Sequence, residues 1–250
     1  MPDLTENYHF ELRRLDNEIA ARPRNSRLLE DRGDLKYDHE DYEGAIQDYT
    51  AALKTKRKKK DLYWKRGMAY YELGSHLAAF NDYSIAHQLN PRCTKLLVDL
   101  GLCVQKFDDL KRAEEYYKQA IKINRRYHEP YIFLGRIRIE QENYADALKY
   151  LDKAVKLEPM DQSGRYWRGV ALGYLGRNEE AYEDFDLSVI LNPTDHFARF
   201  NKAAGLYHLE KHQAALYELK ILLRDRPDDK DALKLKRIIE DETEGEEWKS

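Results

Sequence analysis

Cysteine is nearly missing from this chain of 250 residues, which carries only Cys93 and Cys103. One pair cannot build a disulfide framework, and without a second pair structural zinc is disfavoured. No run of 18 apolar residues occurs, and the opening MPDLTENYHFELRR is charged throughout, so neither a membrane span nor a secretory leader is expected. Net charge is only -3, too small for a global field that would recruit nucleic acid or an anionic membrane. There is no glycine-rich phosphate loop, no serine–histidine–acid arrangement with local support and no catalytic cysteine motif. Asp108–Asp109 and Glu114–Glu115 are adjacent acids that point to different sides of a helix, so they make no paired-carboxylate site. The expectation is a cytoplasmic protein that is not an enzyme and holds no cofactor or metal. With 36% charged residues and a mean hydropathy of -0.85, the composition suits a surface-rich helical chain.

What the chain does have is a period. Alanine recurs every 34 residues at Ala45, Ala79, Ala113, Ala147, Ala181 and Ala215. Glycine recurs at the same interval at Gly33, Gly67, Gly101, Gly135 and Gly169, with Ala203 in the sixth place. At an alanine usage of ~8%, six such matches by chance are on the order of one in a hundred thousand. The prolines are few, yet Pro23, Pro91, Pro159, Pro193 and Pro227 all differ by multiples of 34. Repeats of this length stack rather than forming separate globules.

Six full units follow from the phase: 26–59, 60–93, 94–127, 128–161, 162–195 and 196–229. Each reads as helix A, a short turn near unit position 15, and helix B. Residues 1–25 form a half-repeat, because Leu4, Tyr8, Leu12, Leu15 and Ile19 make one apolar stripe that Pro23 ends. Residues 230–241 begin a seventh helix A with polar groups where a further repeat would pack, as a cap requires. Residues 242–250 are acidic and read as a disordered tail carrying Trp248. Glycine inside a helix costs ~1 kcal/mol against alanine. Its recurrence is expected where helix B crosses closely, with the helix B alanine as the small residue opposite. Tyr49, Tyr83, Tyr117, Leu151, Phe185 and Leu219, four residues after each alanine, are the expected knobs.

Small residues at positions 8 and 20, a large apolar residue at 24, alanine at 27 in four units and proline at 32, on a period of 34, resemble the tetratricopeptide repeat. Pentatricopeptide repeats run on 35 and would drift out of phase. The resemblance implies an all-α, right-handed superhelix whose helices A line a concave surface that binds peptides or partner segments. One departure is position 4, usually apolar in the family, which is Arg165 and Arg199 in units five and six.

Helical projection puts positions 4, 7, 8 and 11 of helix A on the packing side and 2, 6, 9 and 13 opposite. That outer strip starts acidic with Asp31, Asp34 and Asp38, passes Lys65, and meets Phe133 and Arg136 in unit four. In units five and six it reads Ser163, Trp167, Val170, Tyr174, Phe197, Asn201, Ala204 and His208, with no Lys, Arg, Asp or Glu. An uncharged aromatic run on such a strip marks an interaction site. Phe133, Trp167, Tyr174 and Phe197 are the expected anchors for a peptide or helical segment of another protein, and the three aspartates would attract its basic stretch. The competing reading packs these rings as ordinary core. A third reading places Trp248 in the groove.

The resemblance also implies a test for chaperone C-termini, which many members bind through a two-carboxylate clamp. From unit one the clamp positions hold Glu30, Asp34, Lys65, Lys95 and Asp99, of which only Lys95 matches. From unit four they hold Ile132, Arg136, Trp167, Phe197 and Asn201. That role is disfavoured, since acids repel the ligand carboxylates. No asparagine ladder occupies position 6, where only Asn201 is present. The run Lys54–Lys60 carries an alternative reading as a nuclear or nucleic-acid-associated factor, although lysines at a helix C-terminus also simply favour the dipole. Self-association as a structural scaffold is the remaining alternative. His208 and His212 have the spacing of two metal ligands on a helix, but no acidic or cysteine ligand accompanies them.

Overall fold

A computed structural model describes residues 4–55 and 60–247. Lys56–Lys59 of the basic run, and Trp248, lie outside the described residues. The described residues form fourteen helices and no strand, in two compact units, 1–124 and 125–250.

In the first unit, α1 (Leu4–Ala21) packs on α2 (Ser26–Asp38), which pairs with α3 (Tyr42–Thr55). Helices α4 (Lys60–Glu72) and α5 (His76–Leu89) form the next pair, followed by α6 (Thr94–Gln105) and α7 (Leu110–Ile123). In the second unit the pairs are α8 (Glu129–Glu140) with α9 (Tyr144–Leu157), α10 (Gln162–Tyr174) with α11 (Asn178–Leu191), and α12 (His196–His208) with α13 (His212–Asp225). The last helix, α14 (Lys230–Glu247), packs on α13. Four helices A, α2, α10, α12 and α14, begin on side-chain caps at the last position of the preceding repeat, Asn25, Asp161, Asp195 and Asp229. The Asp161 carboxylate accepts from the Gly164 N–H at 2.6 Å, and Asp195 from Ala198 at 3.0 Å. Such a cap stabilises a helix by about 1 kcal/mol.

Every helix A ends at unit position 15 in a left-handed residue: Glu40, Gly74, Asp108, Glu142, Gly176 and Glu210, with φ between 58° and 73°. Around Gly74 the Ser75 N–H donates to the Tyr70 carbonyl at 2.8 Å and the Gly74 N–H to that of Tyr71 at 2.9 Å. This is the Schellman closure, and the same pair of bonds recurs at Glu40 and Asp41.

The six knobs at position 24 are buried, Tyr117, Leu151 and Leu219 completely. Each stabilises the fold by roughly 1.5–3 kcal/mol through burial. They also explain the glycines, and here the structure corrects the sequence expectation. A Cβ added at Gly33, Gly67, Gly135 or Gly169 would stand 2.5–2.8 Å from Tyr49, Tyr83, Leu151 or Phe185, and at Gly101 it would overlap Tyr117. The gap is filled by the knob rather than by the helix B alanine; at Gly67 the Ala79 carbonyl stands farther off than the Tyr83 ring, 3.4 Å from such a Cβ.

A second correction concerns position 7, expected to be plain packing. Four repeats place a cation there, held by an acid sixteen residues later on helix B. Arg66 Nε donates to the Asp82 carboxylate at 2.7 Å, and Arg168 Nε to Asp184 at 2.6 Å. Arg32 pairs with Asp48, and Lys202 with Glu218 at 2.6 Å. Each cation also reaches back to the preceding helix B: Arg32 to Asp16, Arg66 to Thr50, Arg168 to Asp152 and Lys202 to Asp186. The acids sixteen residues later, Asp48, Asp82, Asp184 and Glu218, are buried, Asp184 completely. In the third and fourth repeats the same two positions are Leu100 with Tyr116 and Leu134 with Tyr150. Arg165 and Arg199, the departures at position 4, belong to this network. They bond Asp184 at 2.9 Å and Glu218 at 2.7 Å, and each also donates to a backbone carbonyl, of Pro159 or Pro193.

Finally, α14 runs to Glu247, beyond the expected end at residue 241, so 242–247 are helical rather than a disordered tail. Glutamate is a good helix former even where the apolar period is lost, and the Thr243 hydroxyl donates back to the Ile239 carbonyl at 3.0 Å.

Candidate functional site

The eleven groove residues expected from the sequence divide between the units. Seven of them, Phe133, Arg136, Trp167, Val170, Tyr174, Phe197 and Asn201, are in the second unit. Four of these line one cleft of about 480 Å³, where Trp167, Val170 and Tyr174 of α10 face Asn201 of α12. The floor comes from Ala181 and Phe185 of α11, with Ala204 and His208 along the other wall. Small side chains at Gly173, Ala204 and Gly205 keep the cleft open. Phe197 sits apart, in an adjoining hollow of about 360 Å³ that shares Trp167 and Tyr166 with the first.

The rings are fixed in place. Tyr166 meets Trp167 edge-on at 5.0 Å, and its hydroxyl accepts from the Asn201 side-chain N–H at 3.2 Å. Tyr174 stacks on Tyr144 of α9 at 4.3 Å with planes 7° apart. The Arg136 guanidinium lies 4.8 Å from the Trp167 ring centre and 5.6 Å from that of Phe133, so Phe133 and Arg136 contribute to the outer edge of the site. Tyr174 and Phe197 remain 65% and 68% exposed, which the core reading of these rings does not accommodate. Large rings held by neighbours while facing solvent lose little entropy when a partner covers them.

The first unit holds the other four. Asp34 is engaged rather than waiting for a ligand: it accepts the Tyr49 hydroxyl at 2.8 Å and pairs with Lys65 at 2.6 Å. Lys65 also bonds Glu30 at 2.9 Å. Asp31 and Asp38 are exposed. Asp34, Asp38 and Lys65 share a hollow of about 280 Å³ with Tyr37, Trp64 and Met68. The Trp64 indole N–H donates to Asp99 at 2.7 Å, and the Lys95 ammonium lies 4.7 Å from the Trp64 ring centre.

Sequence projection missed unit positions 5 and 12, which supply Trp64, Tyr166, Tyr37 and Tyr71 to these hollows. The signal was present as aromatics at those positions in neighbouring units. Projection of one isolated helix assigns them to its flank, and only the adjacent repeat turns that flank into a wall. His208 lines the main cleft, and among the described residues no three His, Cys, Asp or Glu side chains are grouped to hold a metal.

Comparison with known proteins gives the same repeat. A family model described as TPR repeat matches residues 33–74, and models described as Tetratricopeptide repeat match 94–127 and 134–196. A UDP-N-acetylglucosamine–peptide N-acetylglucosaminyltransferase of Giardia intestinalis is 29% identical over 138 residues, 54% of this chain but 9% of its own length. The BBSome complex member BBS4 of Bos taurus is 29% identical over 112 residues, 44% of this chain and 21% of its own. The chain thus spans about a fifth or less of these relatives. A chain of the APC/C hetero-tetramer Cut9–Hcn1 superposes with a TM-score of 0.79 at 16% identity, covering 92% of this chain and 46% of that one. A tetratricopeptide repeat protein of Parabacteroides merdae gives 0.71 at 17% identity, covering 94% and 93%. Identities this low speak for the fold alone. The matched segments fall in both units, the one at 94–127 coincides with a single repeat, and the chain belongs to the tetratricopeptide-repeat family.

Proposed function

We propose that this protein is a non-catalytic interaction scaffold that seats an apolar segment of a partner protein, extended or helical, in the cleft between α10 and α12. One observation carries the reading: Trp167, Val170 and Tyr174 line an open cleft of about 480 Å³ while the Trp167 and Tyr174 rings stay accessible and pinned by Tyr166 and Tyr144. A cleft with aromatic walls and a few fixed polar groups, here Asn178, Asn201 and His208, is suited to holding apolar side chains in a set register. The membership of relatives such as BBS4 in a complex is in keeping with a scaffold role, as is the fold. Nothing in the cleft resembles a nucleophile with a base, so the work it supports is binding.

The test is selection of displayed peptides on the full chain and on Trp167→Ala. Wild type should enrich peptides with spaced apolar residues, and loss of the Trp167 ring should weaken the selected peptides about thirtyfold, the scale of a central aromatic anchor. If wild type and variant, equally helical by circular dichroism, enrich and bind the same peptides equally, the cleft is not the seat.

A further inference from the structure

The groove side of the first unit differs chemically from the Trp167 cleft. Tyr37 and Met68 line two adjoining hollows, of about 280 and 140 Å³. Carboxylates reach this spot from three successive helices A: Asp38 of α2, Glu72 of α4 and Asp99 of α6. The Tyr37 hydroxyl records their convergence, being pushed up to about 12 by burial first and then by Glu72, Tyr42, Asp38 and Asp99. The rings are preset, with Tyr37 held edge-on by Tyr42 at 5.4 Å and Tyr71 packed on His76 at 5.0 Å.

The cations nearby are already committed. Lys65 is shared between Glu30 and Asp34, and Lys95 lies over Trp64. Among the described residues neither Asp38 nor Glu72 has an ion-pair partner. What remains is an aromatic face flanked by two unneutralised carboxylates, beside a hollow that opens onto the surface.

We infer that this face takes an arginine of a partner segment, its guanidinium laid over the Tyr37 ring between the carboxylates of Asp38 and Glu72. A planar guanidinium satisfies both demands at once, stacking on the ring and donating in-plane to carboxylates on two sides. The charge preference is the reverse of the family's carboxylate clamp. The inference rests on the reading of helices A as the partner-facing side.

The experiment uses the full, ¹⁵N-labelled chain and two probes, acetyl-Gly-Arg-Gly-amide and its citrulline counterpart, which keeps the shape and loses the charge. The arginine probe should shift the amide signals of Tyr37, Tyr71 and Glu72 and bind at least about tenfold more tightly than the citrulline probe. Asp38→Asn with Glu72→Gln, both surface changes, should remove that preference without altering helicity. Equal binding of the two probes overturns the inference, as does a preference that survives the double variant or an arginine response centred on Trp167. Silence of the arginine probe at about a hundred times the concentration expected for a single millimolar contact overturns it too. The apolar peptides selected on the Trp167 cleft separate the two readings. If they bind while the arginine probe fails, only this inference falls; if they fail while it succeeds, only the Trp167 seat does.

Discussion

Unit position 15 shows how a single residue can carry the cost of a turn. Six repeats need a left-handed backbone there, and only Gly74 and Gly176 meet it with the residue that adopts it freely. Glu40, Asp108, Glu142 and Glu210 each bear a strain of roughly 1 kcal/mol for the same geometry. A Cβ at Gly74 would meet nothing within 4 Å, so Gly74→Ala tests the backbone alone. It should destabilise the protein by about 1 kcal/mol in urea denaturation. Glu142→Gly should recover part of the same amount, glycine's freedom in the unfolded chain offsetting the rest. No change on Gly74→Ala would mean that the turn is not held left-handed in solution. The place of the turn was legible in the spacing, whereas its handedness was legible only at the two glycines, because glutamate gives no sign of an unusual φ. The knob-facing glycines were legible as a close approach, but what approaches was not. Tyr49 and its equivalents reach back from helix B, and that direction appears only when both helices are in place.

Helix pairs in this protein are joined in two chemically distinct ways. In four repeats a cation at position 7 links its own helix B to the preceding one; in the third and fourth repeats Leu100 with Tyr116 and Leu134 with Tyr150 stand at those positions. Breaking a buried ion pair on one side leaves an uncompensated charge, while exchanging both partners for apolar groups is often neutral. Arg66→Leu should therefore destabilise by roughly 3 kcal/mol, since Asp82 stays buried without its guanidinium. Adding Asp82→Tyr, which copies the third repeat, should bring stability back to within about 1 kcal/mol of wild type. Thermal denaturation of the single and double variants distinguishes this from a simple loss of packing, in which the second change would add to the damage. The sixteen-residue interval between cation and acid was visible in the sequence, but projecting helix A alone assigned position 7, and with it Arg66 and Arg168, to plain packing. Their partners lie on another helix, beyond what the period of one helix can reveal. Arg165 and Arg199 were misfits for the same reason.

Across the molecule, nineteen tyrosines make the alkaline side of the stability profile informative. Tyr37, Tyr49 and Tyr83 are all raised above the ordinary value of about 10, in each case first by burial. The folded chain therefore keeps protons that the unfolded chain releases. Their contribution is fully present below pH 10 and is lost as pH climbs from there toward the folded values. Each such tyrosine should add about 1.4 kcal/mol per pH unit to the downward slope above pH 10. Tyr83→Phe should make the slope shallower by one such step between pH 10 and 11 in urea denaturation, and an unchanged slope would show that Tyr83 ionises without cost. The period and the all-α class were legible at this scale, because small residues and prolines repeat in phase. The candidate cleft was half legible: Trp167, Val170, Tyr174 and Asn201 came from projection, while Tyr166 and the pinning Tyr144 required the neighbouring repeat.

The backward reach of the position 7 cations has a consequence for building with this chain. The repeat at 162–195 carries both a donor, Arg168, and, at Asp186, the acceptor that the following repeat's cation uses. A tandem copy of that segment would set a second guanidinium against an acceptor already of the right kind, so its joint matches itself. The segments beginning at Thr94 and His128 offer only Leu100 and Leu134 at that seam and cannot form such a bond with the helix before them. Extension of the array by copies of the fifth repeat should therefore keep this bond at every new joint, whereas copies of the third or fourth would not.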